Sequence, residues 1–192
     1  GCEVTVMGMI TSPMLYFSVC RFGFDGGVQI TASHNPKEYN GVKLVARDAH
    51  SICGDELQVI LKMIQSGDFE TGEGKVEELK LFPAYLQKIT STVHLEKKLK
   101  IVVDAGNGMA GPFAKQLFEA LGCEVICLYC ETDGNFPNHE ANPEELANMH
   151  DLIDAVLANK ADIGFGFDGD ADRVGVIDEK GNHYSADLIL ML

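Results

Sequence analysis

The run Ile101–Tyr129, IVVDAGNGMAGPFAKQLFEALGCEVICLY, decides the fold. Ile101-Val102-Val103 is short, apolar and β-branched, the composition of a strand buried on both faces. A glycine-punctuated turn, Gly106 to Gly111, follows. Pro112 suits a first helical position and opens a helix to Leu121. Cys123 to Tyr129 then reads as a second strand. Strand, helix and strand in so little chain make a βαβ unit with parallel strands.

The same rhythm continues downstream. Glu144 to Ala158 reads as a helix entered through Pro143, Ile163 to Phe167 as a third parallel strand, and Val174 to Asp178 as a strand antiparallel to it. Lys180-Gly181-Asn182 turns the chain toward a helical start at Leu188 to Leu192. Upstream, Glu3 to Val6 is strand-like. Ser12 before Pro13 reads as an N-cap to a helix through Met14, Leu15 and Phe17. Val28-Gln29-Ile30 is a strand, and Asn40-Gly41 a tight turn into the strand Val42 to Ala46. Gly54-Asp55 opens an amphipathic helix with Leu57, Ile60, Leu61 and Ile64 on one face, ended by Gly67. Gly67 to Lys75 is a polar loop. Helical spacing returns at Leu79, Phe82, Leu86 and Ile89. The lysine-rich segment Glu96 to Lys100 marks a boundary between two domains. Because the chain starts at Gly1 just before a strand and stops within an apolar helical start, it reads as a piece of a longer chain.

Composition narrows the function. Of 192 residues 46% are hydrophobic, as in ordinary globular proteins, and 15 Lys plus Arg against 29 Asp plus Glu leave a net charge of −14. That field repels phosphate backbones and anionic lipid, so neither nucleic acid nor a membrane surface is an expected partner. The longest apolar run, Val125 to Cys130, falls far short of the ~20 residues that span a bilayer. Six cysteines without a signal peptide fit reduced thiols and a cytoplasmic location.

Two loops carry the chemistry. Asp168-Gly169-Asp170-Ala171-Asp172-Arg173 sets three carboxylates at i, i+2 and i+4 at the end of a strand. They converge only if a cation neutralises them, and oxygen ligands select Mg²⁺ or Ca²⁺ over zinc. An EF-hand is excluded, since Arg173 stands where that loop needs glycine and the flanks are strands. An aspartate-nucleophile phosphotransferase centred on Asp168, of the haloacid-dehalogenase kind, stays as an alternative. In Thr31-Ala32-Ser33-His34-Asn35-Pro36 a proline-braced loop presents a serine beside an imidazole, with Lys43 on the following strand. Serine needs such help to act as a nucleophile. A nucleotide-binding module using the Gly106 turn, formally G-x-G-x-x-G with Glu131 as its acid, is a second alternative. Cys127-Leu128-Tyr129-Cys130 lacks a second pair for zinc. His50, His94, His139, His150 and His183 read as structural or surface residues.

The serine and aspartate loops, 135 residues apart, together resemble the phosphoserine and metal loops of the α-D-phosphohexomutase family. Thr11 to Phe17, Glu38 to Lys43, Val103 to Gly108 and Asp133 to His139 resemble it too. The resemblance implies two α/β/α three-layer domains with mixed, mostly parallel sheets, truncated from a four-domain parent. Residues 1–94 would be domain I, lacking its N-terminal strands, 95–183 domain II, and 184–192 the start of domain III. Domains III and IV, which read the sugar and bind the distal phosphate, would be missing, impairing turnover.

It further implies an isomerase, a phosphomannomutase/phosphoglucomutase moving phosphate between C1 and C6 of a hexose, glucose or mannose. The route is a phosphoserine and a hexose 1,6-bisphosphate. Ser33 would carry the phosphoryl group, and Asp168, Asp170 and Asp172 with a Ser33 phosphate oxygen would hold Mg²⁺. His34 and Lys43 would neutralise charge and move protons, and Arg173 and Asn35 would bind phosphate. Ala171 departs from the family, where many members have glycine.

Overall fold

The structure, a computed structural model, describes residues 1–67 and 69–191. In chain order the elements are β1 (Glu3–Val6), α1 (Ser12–Phe22), β2 (Gly26–Ile30), β3 (Val42–Ala46), α2 (Asp55–Ser66), β4 (Lys75–Glu78) and α3 (Phe82–Thr92). Then follow β5 (Lys100–Asp104), α4 (Gly111–Ala120), β6 (Glu124–Leu128), α5 (His150–Asn159), β7 (Ile163–Phe167), β8 (Val174–Asp178), β9 (His183–Tyr184) and α6 (Ala186–Ile189).

From Lys100 onward the chain builds one five-stranded sheet in the order β6-β5-β7-β8-β9. β6, β5 and β7 run parallel, and β8 and β9 are antiparallel additions. Alternation along β5 sends Ile101 and Val103 to one face, with Ala114 of α4, and Val102 to the other. There it meets Leu152 and Val156 of α5 and Ile177 of β8. The result is helix, sheet, helix.

In the first half the strands form two separate pairs, β1 parallel to β4 and β2 antiparallel to β3. Their core is Ile10, Met14, Leu15, Val19, Val45 and Leu81, with Phe17 and Tyr85 of α1 and α3 edge to face at 5.3 Å. α2 stands apart. It ends at Gly67 as its sequence requires, yet none of its residues is buried, and Leu57, Leu61 and Ile64 face solvent.

Several boundaries differ from the sequence reading. The N-cap of α1 is Thr11, whose side-chain oxygen accepts from the Met14 amide; Ser12 is already helical. Pro143 opens no α-helix. Asn142 draws the Glu144 amide onto its side chain, so the segment passes through a 3-10 turn, Leu146–Met149, before α5 begins at His150. β6 is shorter than expected, because Tyr129 turns left-handed at φ 49°. The loop expected through Lys75 gives way to β4 at that residue, and Asp68 lies outside the described residues. So does Leu192, at the end of the last expected helix, and α6 begins earlier, at Ala186. β9, too short to be read from pattern, extends the sheet to Tyr184.

Candidate active site

Both chemical loops lie at the ends of strands. The 168–172 loop joins β7 to β8, so it leaves the carboxyl end of a parallel strand, the usual location of sites in such sheets. It is a tight hairpin in which Ala171 takes a left-handed φ of 60°. Asp168 is fully buried, its Oδ1 accepting from the amides of Asp172 (3.0 Å) and Arg173 (3.1 Å). The three carboxylates converge, their oxygens lying within 4.8 Å of one another.

The serine loop joins β2 to β3. Ser33 also takes a left-handed φ, 56°, a conformation costing a non-glycine residue about 1–2 kcal/mol. It is secured by its amide on Thr31 Oγ1 at 2.8 Å and by the Asn35 side chain on the Ala32 carbonyl at 3.0 Å. So held, the Ser33 hydroxyl donates to Asp168 Oδ2 at 2.8 Å, and His34 Nδ1 lies 3.4 Å from Ser33 Oγ. The approach depends on Gly169. A Cβ there would overlap the Ser33 carbonyl oxygen.

Two more residues of the first half reach the aspartate loop. Lys43 Nζ bridges Asp170 Oδ2 at 2.5 Å and Asp172 Oδ2 at 2.6 Å. Ser12, at the start of α1, donates its amide to the Asp170 carbonyl and its hydroxyl to Asp170 Oδ2 at 2.6 Å. Burial, then the charge of Asp170, pushes Asp168 up to about 6, against the hydrogen bonds from Arg173 and Ser33. Asp170 moves the other way: burial opposes its charge, but the bonds from Lys43 and Ser12 prevail and lower its pKa. Burial likewise works against charge on Lys43, and its two carboxylate partners outweigh that and raise it.

The donor set suits a hard divalent cation. It is all oxygen, and Asp170 Oδ1 is buried with no hydrogen-bond partner among the described residues. Beside the triad opens a pocket of about 220 Å³, with Ser33, His34 and Asn35 on one side and Asn135, Phe136 and Glu140 on the other.

Six of the eight residues singled out in sequence therefore meet here: Ser33, His34, Lys43, Asp168, Asp170 and Asp172. Asn35 borders the pocket. Arg173 contributes its amide, while its guanidinium rests on Glu144 Oε1 at 3.2 Å. Ser12 and Gly169 were missed. Ser12 carried the signature of a cap, and only its burial shows another use.

The Gly106 turn is inward-facing. The amides of Gly106, Asn107, Gly108, Met109 and Gly111 all donate within the chain, so they are not free to cradle a phosphate.

Comparison with known proteins adds kinship. Residues 83–181 match the family model described as phosphoglucomutase/phosphomannomutase, alpha/beta/alpha domain II, and residues 1–71 match that for domain I. The chain belongs to the phosphoglucomutase/phosphomannomutase family. Within that family it is 44% identical over its whole length to a phosphomannomutase/phosphoglucomutase of Pseudomonas aeruginosa, and 42% identical to a phosphoglucomutase of Neisseria gonorrhoeae. It spans 41% and 42% of those proteins. A crystal structure of a phosphoglucomutase/phosphomannomutase family protein from Burkholderia thailandensis superposes with a TM-score of 0.89 at 42% identity, over 94% of this chain and 41% of that one. Among the described residues no helix is long and apolar enough to cross a membrane.

Proposed function

We propose that this chain supplies the phosphoryl-carrying and cation-binding part of a phosphohexomutase, an isomerase moving phosphate between C1 and C6 of glucose or mannose. The observation that carries the reading is the Ser33 hydroxyl, 2.8 Å from Asp168 across 135 residues of sequence, at the edge of a converging acidic triad. Domain I is proposed to run to residue 94, domain II to 183, with 184–192 beginning domain III; domains III and IV complete the enzyme, and without them turnover is impaired.

Ser33 Oγ gives its phosphoryl group to the free hydroxyl of a hexose phosphate, and the hydroxyl proton leaves for a nearby base. The resulting hexose 1,6-bisphosphate turns round, and its other phosphate returns to Ser33. His34, its Nδ1 3.4 Å from Ser33 Oγ, is placed to take and return the Ser33 proton. Lys43 keeps its charge, its pKa being raised, and so offers a fixed cation to the phosphoryl oxygens. Asn35, at the pocket, and Arg173, whose guanidinium here rests on Glu144, bind substrate phosphate. Asp168, Asp170 and Asp172, with an oxygen of the Ser33 phosphate, would hold Mg²⁺. When bound, the cation neutralises charge gathering on the transferred group. The cytoplasm, where hexose phosphates and free Mg²⁺ abound, is the proposed location.

Peptide mass spectrometry, before and after incubation with a hexose 1,6-bisphosphate and Mg²⁺, tests the reading. Phosphate is expected on Ser33. A hydroxylamine-labile phosphate on Asp168 would instead establish the aspartate-nucleophile chemistry. Asp170→Asn is expected to weaken Mg²⁺ binding about tenfold or more, since it removes one charged ligand. Equal affinities by calorimetry would remove Asp170 from the metal site.

A further inference from the structure

The far wall of the pocket belongs to the segment after β6, which contains no strand or α-helix until the 3-10 turn at Leu146. Such a segment needs anchors if it is to present a fixed surface. Some come from Asn107: its carbonyl accepts from the Asp133 amide, and its side chain bonds Asn138 at 2.7 Å and the Glu131 carbonyl at 2.8 Å. The other anchor is His139. Its Nε2 lies 3.0 Å from Asp104 Oδ2, and its Nδ1 2.9 Å from the Glu140 carbonyl oxygen.

The chemistry of those partners fixes the state of the ring. A carbonyl oxygen only accepts, and an ionised carboxylate only accepts. Asp104, at the end of β5, is only 1% exposed, and its Oδ1 already takes the Gly106 amide at 2.8 Å, which leaves Oδ2 to the imidazole. A carboxylate on one side and a carbonyl on the other ask for a hydrogen on each ring nitrogen, which is imidazolium. Tyr129 packs its ring on the imidazole at 5.4 Å and 74° and donates its hydroxyl to Asp151 at 2.6 Å. The ionisable groups around His139 are thus Asp104 of β5, Tyr129 after β6, Asp151 of α5 and Glu140 of its own segment. The carboxylates favour a cation. Space is left by Gly106, at φ 49°, where a Cβ would stand 3.1 Å from Ala141 and 3.3 Å from His139 Cε1.

We propose that His139, held as an imidazolium between Asp104 and the Glu140 carbonyl, is the positioning residue that fixes the Asn135–Ala141 wall opposite Ser33. Only the naming of a sugar phosphate as the pocket's occupant rests on the phosphohexomutase reading. The hydrogen bond to Asp104 raises the His139 pKa above its usual 6.5 despite burial. The wall is therefore fastened at and below pH 6.5 and loosens as pH rises through that raised value.

The test is ring-nitrogen NMR on the labelled chain between about pH 5 and 9, with amide hydrogen exchange over 135–141 corrected for intrinsic pH dependence. Hydrogens on both ring nitrogens at pH 6.5 are expected, with protection of the wall falling as His139 deprotonates. His139→Gln, which keeps one bond but no charge, should raise exchange there about tenfold at low pH, the worth of one charge-assisted bond, and abolish its pH dependence. Asp104→Asn should lower the His139 pKa, since it removes the carboxylate that raises it. A single neutral tautomer at pH 6.5, or pH-independent protection in the unaltered chain, overturns the proposal. The amount of glucose 1,6-bisphosphate giving half-maximal Ser33 phosphorylation should rise in His139→Gln. If Ser33 takes no phosphate even in a chain that carries domains III and IV, the mutase reading falls while the ring-nitrogen and exchange results still decide the role of His139.

Discussion

Gly169 and Ala171 alternate with the three aspartates, and backbone geometry makes opposite demands on them. Gly169 must lack a side chain, because the Ser33 carbonyl occupies the space a Cβ would take. Gly169→Ala is expected to push the serine loop away and lower phosphate incorporation at Ser33 at least about tenfold, the scale of a ~1 Å misplacement at a reacting centre. The rate of Ser33 labelling is the measurement. Ala171 holds φ 60°, where its Cβ is strained. Ala171→Gly relieves that strain and loses some unfolded-state restriction, for a net gain of about 0.5–1 kcal/mol, readable by urea denaturation.

At the scale of elements, the turn from β8 to β9 is organised by one carboxylate. Asp178 accepts from the Lys180 and Asn182 amides at 2.9 and 2.8 Å, and from the Asn182 side chain and the Tyr184 hydroxyl. These bonds, that of the Asn182 side chain foremost, bring its pKa down to about 2. A depressed carboxylate stabilises the fold above its unfolded pKa, and that contribution is lost as pH falls through the folded value. Chemical-shift titration should therefore show the 178–184 turn opening between about pH 4 and 2. Asp178→Asn should remove the transition.

The elements also show what could be read in advance. β5, β7 and β8 were legible because apolar runs bounded by turn residues leave few alternatives. β9 has too few residues for any period, and the entry to α5 was misread because Asn142 competes for the amide that Pro143 promised to a helix. Both chemical loops were visible as clusters of unusual residues. Pattern and spacing did not say what they touch, since Ser33, Lys43 and Ser12 lie in a different part of the chain from Asp168 and Asp170; only the family resemblance set Ser33 with the aspartates. Ser12 shows this best: a serine before proline is locally a cap, and only the packing of one half on the other makes it a partner of Asp170.

Across the whole molecule, that partnership joins the halves. Ser12→Ala removes a fully buried hydrogen bond to a carboxylate and is expected to cost about 2 kcal/mol, while Ser12→Thr, which keeps the hydroxyl, should cost less. Chemical denaturation of the two variants side by side measures the difference. Equal losses would show that shape, not the hydroxyl, joins the halves.

The bonds that Ser12, Ser33 and Lys43 make to the aspartate loop close rings of 158, 135 and 127 residues. Shutting a ring of that size costs about 4 kcal/mol of chain entropy, whereas the strand pairings around β5 are far more local. The order of synthesis then matters. At ordinary elongation rates a growing polypeptide carries Ser33 for on the order of ten seconds before Asp168 has been made. Through that interval the serine loop is a tethered hydroxyl whose carboxylate partner has yet to leave the ribosome.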